Sequence, residues 1–113
     1  MTKSLKLGSI IFVSLCWVTA CSPKMAPTVT NDESVQILQE LYPNADPQNL
    51  QHGYNLFTQN CGNCHKLHLP QSRTAAEWSK VLPPMTRKAK LTPQDAEAVT
   101  QYVMVEQKRL GGK

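Results

Sequence analysis

The chain has 113 residues, of which 41% are hydrophobic and 18% are charged, and its formal net charge is +4. This length allows one domain at most. No basic patch alternates with aromatic residues, so the composition argues against a nucleic-acid-binding protein.

The first 20 residues have the pattern of a bacterial export signal. Lys3 and Lys6 precede an apolar run, residues 7–18, that is shorter than the about 20 residues of a membrane-spanning helix. Residues 18–21 read VTAC and resemble a lipobox, in which Cys21 is lipidated and becomes the first mature residue. A plain secretory peptide with an incidental cysteine is the alternative. Removal of residues 1–20 takes both lysines away and lowers the net charge from +4 to +2.

The segment after the signal is expected to tether a domain to a membrane. Residues 22–32 are rich in Pro, Ser and Thr, which is typical of a flexible linker. We assign residues 21–46 to the lipidated N-terminus and tether, with a possible short helix over 33–43, and residues 47–113 to the domain. The lipid anchor predicts a periplasm-facing protein of the cell envelope, and Ser22 favours the outer membrane.

The first helix of the domain is predicted over about residues 47–60. Asp46 suits the N-cap, and Pro47 suits the first helical position. Its apolar face is formed by residues spaced three or four apart: Leu50, Gly53, Tyr54 and Phe57. A glycine inside a helix costs about 1 kcal/mol relative to alanine. Gly53 is explained if another helix crosses closely there; the alternative is a glycine that is simply tolerated.

Two more helices are predicted after a loop over residues 66–73. Thr74 and Glu77 form a capping box that opens a short helix. The prolines at 83–84 are expected to interrupt it, which places Met85 in a connecting segment. Thr92 opens the last helix, whose apolar stripe contains Ala96, Val99, Tyr102 and Val103. No segment alternates as a half-buried strand does, so the domain is predicted to be all-α, with a thin core that a cofactor would stabilise.

Residues 61–65 read CGNCH, a pattern open to several chemistries. The thiols of Cys61 and Cys64 can add to the two vinyl groups of one porphyrin, and His65 can then ligate the iron. A zinc site needs four ligands, and only His52 and His68 remain to complete one. A thioredoxin-like dithiol needs a preceding strand and would leave His65 unexplained, and a plain structural disulfide without a cofactor is a further alternative. The exported context and the helical frame favour haem.

Residues 47–109 resemble a small monohaem cytochrome c, and the stretch GYNLFTQNCGNCH carries most of the likeness. The resemblance implies one haem c, held by thioethers from Cys61 and Cys64, with His65 as an axial ligand. It also implies a compact fold in which the first and last helices of the domain cross. The residues expected at this crossing and in the haem pocket are Gly53, Phe57, Trp78, Val99, Tyr102 and Val103.

The same resemblance assigns the sixth iron ligand to Met85. A similar local arrangement in compact bacterial cytochromes c comprises Trp78, Met85, Ala89, Leu91 and Thr92. Met104 is expected to pack in the last helix, and His68 to be too close to His65 to reach the opposite face. If Met85 only fills a hydrophobic gap, the iron is open on that side.

Charged residues between and after the two ligands suggest further roles. Trp78 is expected on the haem edge, with Arg73 or a nearby lysine such as Lys80 paired with a propionate; a solvated helix face is the alternative. A second basic cluster, residues 86–90, could steer an acidic redox partner or simply be solvated.

Together these features predict a monomeric electron carrier rather than an enzyme. Its function would be one-electron transfer between redox proteins or a membrane redox complex, with His–Met ligation of the iron. The first alternative is a haem-based sensor or peroxidase-like protein with an open distal site. A structural zinc module is the weaker alternative.

Overall fold

The computed structural model describes residues 31–63 and 66–111 of the chain. Over these ranges the elements are helices and turns, in agreement with the predicted all-α fold. The α-helices are α1 (Asp32–Leu41), α2 (Gln48–Leu56), α3 (Ala75–Lys88) and α4 (Pro93–Arg109). A π-helical turn, Phe57–Cys61, extends α2, and a 3-10 turn, Pro70–Ser72, precedes α3. No helix in these two ranges combines the length and the apolar character needed to cross a membrane.

Helix α1 belongs to the packed body of the protein. Asn31 caps it, because its side-chain oxygen accepts from the Ser34 backbone N–H at 2.9 Å. Leu38 is fully buried in the core, and α1 contacts α4. The sequence assigned these residues to the tether with a possible short helix; the structure instead begins the packed body at Asp32. Burial of Leu38 explains why this short helix is ordered, since a helix of this length is marginal alone.

Helix α2 and its extension lead directly into the cysteine motif. Asp46 accepts a hydrogen bond from the Gln48 backbone N–H at 2.9 Å, which supports its predicted capping role. After Leu56 the helix widens into the π turn, and Cys61 is its last residue. Side chains bond the carbonyls of the preceding turn: Thr58 donates to Tyr54 O and Asn60 donates to Leu56 O. Such π turns are frequent at functional sites.

Helix α3 begins as predicted but continues further. Thr74 Oγ1 accepts from the Glu77 N–H at 3.1 Å, and Thr74 N–H donates to Glu77 Oε2 at 2.8 Å, so the predicted capping box is confirmed. The expected interruption at 83–84 is wrong, because α3 runs through both prolines to Lys88. The carbonyls that lose their helical partners belong to residues 79 and 80, both exposed, where water can bond them.

Helix α4 is the element against which the others pack. Thr92 caps it by accepting from the Asp95 N–H at 3.2 Å, and Pro93 is its first residue, as predicted. It contacts α1, α2, α3 and the 3-10 turn. Its fully buried side chains include Val99, Tyr102, Val103 and Val105. The core therefore lies along α4, with the cysteine motif at the end of the helix that approaches it most closely.

Candidate haem-attachment site

Of the three motif residues expected to hold haem, the structure describes Cys61. Cys61 is a free thiol with 8% of its surface exposed, and it belongs to the hydrophobic core. Burial raises the pKa of this thiol, because the apolar surroundings disfavour the thiolate. Cys64 and His65 lie outside the described residues, as does Cys21.

An aromatic cluster borders the buried cysteine. Phe57 meets Trp78 edge to face, with ring centroids 6.4 Å apart, and lies 5.5 Å from the Tyr102 ring. Tyr54 extends the cluster with an edge contact to Tyr102 at 5.7 Å. The predicted pocket residues Phe57, Trp78 and Tyr102 are therefore brought together, and their apolar surface makes a dry wall beside Cys61.

Gly53 lies where α2 and α4 approach most closely. A Cβ built at this position would overlap the Ala98 carbonyl oxygen and would lie 2.6 Å from the carbonyl carbon. It would also lie 2.8 Å from the Tyr102 Cβ. The close helix contact that the sequence indicated at Gly53 is present, and a side chain there would separate the two helices.

Met85 occupies a different local structure from the one predicted. The expected connecting segment does not form, and Met85 lies in the last turn of α3, where its carbonyl accepts from the Ala89 N–H at 2.9 Å. Its side chain is half-buried and packs against the core that contains Cys61. Met104 is likewise half-buried against the core, within α4. The ligand role of Met85 stays a prediction.

The two described histidines lie at the surface. His52 is 53% exposed, and its Nε2 lies 2.7 Å from Asp95 Oδ1. This contact, followed by hydrogen bonding to Thr92, lowers the pKa of Asp95. His68 is exposed in the segment between the motif and the 3-10 turn.

The segment before α3 is fixed by Trp78. The indole N–H of Trp78 donates to the Pro70 carbonyl at 2.7 Å, and the Arg73 guanidinium lies 5.7 Å above the centroid of the Trp78 ring. Ser72 Oγ donates to the Leu69 carbonyl at 2.6 Å. The side-chain oxygen of Gln71 is buried and has no hydrogen-bond partner among the described residues.

The basic cluster after Met85 lies at the end of α3. Arg87, Lys88 and Lys90 are exposed. Lys90 adopts a left-handed conformation with φ 55°, and its N–H donates to Arg87 O while the Leu91 N–H donates to Thr86 O. These two bonds form a Schellman motif, which normally places glycine at the left-handed position. Partner steering by this cluster remains a prediction.

A buried ionic cluster was missed by sequence reasoning. Glu106 is fully buried, accepts from Ser34 Oγ at 2.7 Å and from Arg109 at 2.9 and 2.5 Å, and so joins α1 to the end of α4. Hydrogen bonding to Glu106 raises the pKa of Arg109. The signal was present, because position 106 continues the spacing of Val99, Tyr102 and Val103 on the buried face.

A second polar contact joins α2 to α4. Asn49 donates to the buried Gln101 side chain at 3.0 Å, and Gln101 donates in turn to Glu97 at 3.0 Å. No group of three His, Cys, Asp or Glu side chains within 31–63 and 66–111 is arranged to hold a metal ion. Two candidate ligands of the motif lie outside these ranges.

The fold and the site define an all-helical domain with a buried cysteine at the end of a helix and an aromatic wall beside it. A scan against protein-family models, a search of curated proteins and a search of solved structures each found no match to this chain.

Proposed function

We propose that the protein is a monohaem c-type cytochrome that transfers single electrons. The main observation behind this proposal is the CGNCH sequence. Its first residue, Cys61, is buried at the end of the π turn that extends α2. Apolar and aromatic side chains border this cysteine, as a flat, largely apolar macrocycle requires. The residues present therefore suit a covalently attached haem.

The chain's own residues would anchor the group, orient it and exclude water from it. Cys61 and Cys64 are the thioether anchors, and a ring nitrogen of His65 is the proximal ligand. Phe57 and Trp78 limit access of water on the side of the core. Haem supplies the one-electron chemistry, by cycling of its iron between two oxidation states.

Met85 is the proposed sixth ligand. Its half-buried position against the Cys61-containing core supports this assignment, since a thioether sulfur must reach a water-poor site. Methionine ligation raises the reduction potential relative to histidine and denies small molecules an open coordination position. Both effects suit electron transfer rather than catalysis.

Lipidation of Cys21 would hold the protein at the periplasmic side of an envelope membrane, with the outer membrane favoured. The tether to α1 would keep the domain close to membrane redox complexes or redox proteins and raise its effective concentration for them. These partners, a monomeric state and the steering role of Arg87, Lys88 and Lys90 belong to the same proposal.

A pyridine haemochrome spectrum of protein produced with c-type maturation machinery tests the assignment. We expect one haem per chain that resists acid-acetone extraction in wild type and in a Cys21→Ser control. The double variant Cys61→Ser, Cys64→Ser should carry no covalent haem. Wild-type protein that contains stoichiometric zinc and no haem would overturn the proposal in favour of the structural zinc module.

Met85 lies in a helix rather than in the expected connecting segment, so the alternative of an iron with an open sixth position needs its own test. With Met85 as ligand, the oxidised protein shows a methionine-to-iron charge-transfer band that is lost in Met85→Ala, and Met104→Ala retains it. Rapid carbon monoxide binding to the reduced wild-type protein, without this band, would instead identify a sensor or peroxidase-like protein.

A further inference from the structure

The interface between α1 and α4 contains a buried polar contact. Ser34 and Glu106 meet there with 1% and 0% of their surfaces exposed, and the Ser34 hydroxyl donates to Glu106 at 2.7 Å. Where α2 and its π turn meet α4, by contrast, the aromatic rings of Phe57 and Tyr102 pack together. Interfaces that separate are on average more polar than permanent ones. The contact that fastens α1 is therefore of a different kind from the contact that fastens α2.

The side of α1 that faces α2 is less closely packed. A groove of about 320 Å³ lies between the first turns of the two helices. Its lining includes Asp32, Val35, Gln48 and Leu50. The buried side chains of α1 are Ser34 and Leu38, and the pair that Glu40 forms with Lys108 of α4 is exposed. Helix α1 is thus held mainly by α4, through one buried leucine and polar contacts.

The carboxylate of Glu106 favours an interface that can open. It continues the core face of α4, on which Tyr102 and Val103 are apolar and fully buried. When α1 leaves, water can replace the Ser34 hydroxyl, and Arg109 keeps its hydrogen bonds because it lies on the same helix as Glu106. The desolvation cost of the buried ion pair is then recovered, which an apolar side chain at this position would not achieve.

We propose that α1 is a strap that opens from α4 as one unit while α2, α3 and α4 stay folded, and that the contact of Ser34 with Glu106 sets how readily it opens. Proteins open in such cooperative parts with free energies below that of global unfolding. The connection to α2, residues 42–47, is the hinge. A helix of 10 residues is marginal alone, so the released segment loses its helical structure.

The opening has a consequence for the proposed lipoprotein, because α1 lies between the anchor and the rest of the domain. Its 10 residues are about 15 Å long as a helix and about 35 Å long when extended. An open strap lets the domain reach redox partners further from the membrane. This consequence rests on the proposed lipid anchor, whereas the opening itself does not.

Native-state hydrogen exchange of the full-length protein, with the cofactor it carries, tests the opening. The reporters are the amides of Leu38 and Gln39 in α1 and those of Tyr102 and Val103 in α4. After correction for intrinsic rates, the α1 amides should exchange at least about 100-fold faster than the α4 amides. Their exchange should also depend on urea, but with a smaller slope, because opening of one helix exposes less surface than global unfolding.

Three variants test the role of the polar contact. Ser34→Ala should speed exchange in α1 about tenfold and leave α4 unchanged, because a hydrogen bond to a charged group is lost. Ser79→Ala is the matched control, since it removes a serine bond to the Ala75 carbonyl within α3 and should leave α1 unchanged. The double variant Ser34→Ala, Glu106→Met makes the interface apolar, so α1 should exchange about tenfold more slowly than in Ser34→Ala.

Equal protection and one urea slope in α1 and α4 would show that the helices unfold together and would overturn the proposal. A slope of zero in α1 would overturn it as well, because fraying of helix ends then accounts for the exchange. A double variant that exchanges no more slowly than Ser34→Ala would overturn the role of Glu106. Should the variants not fold, the urea slopes of the wild-type protein decide. Wild-type protein without lipid at Cys21 would remove the consequence for reach and leave the exchange result standing.

Discussion

Gly53 of α2 lies directly against the backbone carbonyl of Ala98 on α4. The contact involves backbone rather than a movable side-chain end, so it fixes how closely the two helices approach. Phe57, at the start of the π turn that extends α2, packs on Tyr102 one turn beyond this contact. The geometry of the aromatic wall beside Cys61 therefore depends on the absence of a side chain at position 53.

Gly53→Ala should destabilise the protein despite the higher helix propensity of alanine. The added methyl group overlaps Ala98 and Tyr102, and the cost of forcing the helices apart exceeds the about 1 kcal/mol gained in propensity. We expect a net loss of about 2 kcal/mol or more in the free energy of unfolding, measured by urea titration of the haem-loaded protein. Gly62→Ala is the control, since its Cβ would meet Leu67 at 3.7 Å and the Thr58 carbonyl oxygen at 3.9 Å, both ordinary contact distances. Equal stabilities of the two variants would contradict the close approach.

Lys90→Gly should stabilise the protein. Lys90 occupies the left-handed position of the Schellman motif at φ 55°, where a residue with a Cβ is strained by about 1–2 kcal/mol. Part of this gain is offset by the greater freedom of glycine in the unfolded chain, which leaves about 0.5–1 kcal/mol. Lys90→Ala removes the charge but keeps the strain, so it should show no such gain. Thermal unfolding of both variants separates backbone strain from charge.

The ion pair within α4, Arg109–Glu106, should contribute more to stability than the pair between α4 and α1, Lys108–Glu40. Arg109→Met leaves Glu106 buried without its cation, which should cost about 3 kcal/mol in unfolding free energy. Lys108 pairs with the exposed Glu40 at 2.6 Å, so Lys108→Met should cost less than about 1 kcal/mol. Urea unfolding at one ionic strength compares them directly. A cost at Lys108 equal to that at Arg109 would show that burial of Glu106 does not govern the stability of this helix pair.

Acid should weaken the contact between α2 and the start of α4. The pKa of Asp95 is lowered from 3.8 by the hydrogen bond to His52 and then by that to Thr92. A carboxyl group with a lowered pKa in the folded state contributes stability above its ordinary pKa and loses it as the pH falls through the lowered value. Stability should therefore fall below about pH 4, and less so in Asp95→Asn. His52→Gln should reduce this acid dependence partly; an unchanged profile in both variants would contradict the contact.

Local patterns in the sequence determined much of the secondary structure. The capping residues Thr74, Glu77 and Thr92 act within one helical turn, so their effect is readable from neighbouring letters alone. The apolar spacing of α2 and α4 depends on the helical period in the same way. The five-residue motif is equally local, and it carries the proposal of a haem site without any tertiary information.

The limits of local patterns are clearest at the prolines of α3. Sequence reasoning expected a break at 83–84 because each proline removes a helical hydrogen bond. The helix nevertheless continues, since Leu82 is buried and Met85 packs against the core on either side of the pair. Packing of these flanking side chains outweighs the cost of the hydrogen bonds lost at the prolines. The sequence reveals that cost, but it does not reveal the packing that offsets it.

By itself, the sequence determined an all-helical domain, most of its helix starts and a chemically specific cysteine motif, because all three follow from spacings of a few residues. Only the tertiary structure decided that α1 joins the core and that Glu106 is buried with Ser34 and Arg109. These features depend on which surfaces meet across long separations in the chain. That choice is made by the sum of many packing contacts, which no short stretch of sequence contains.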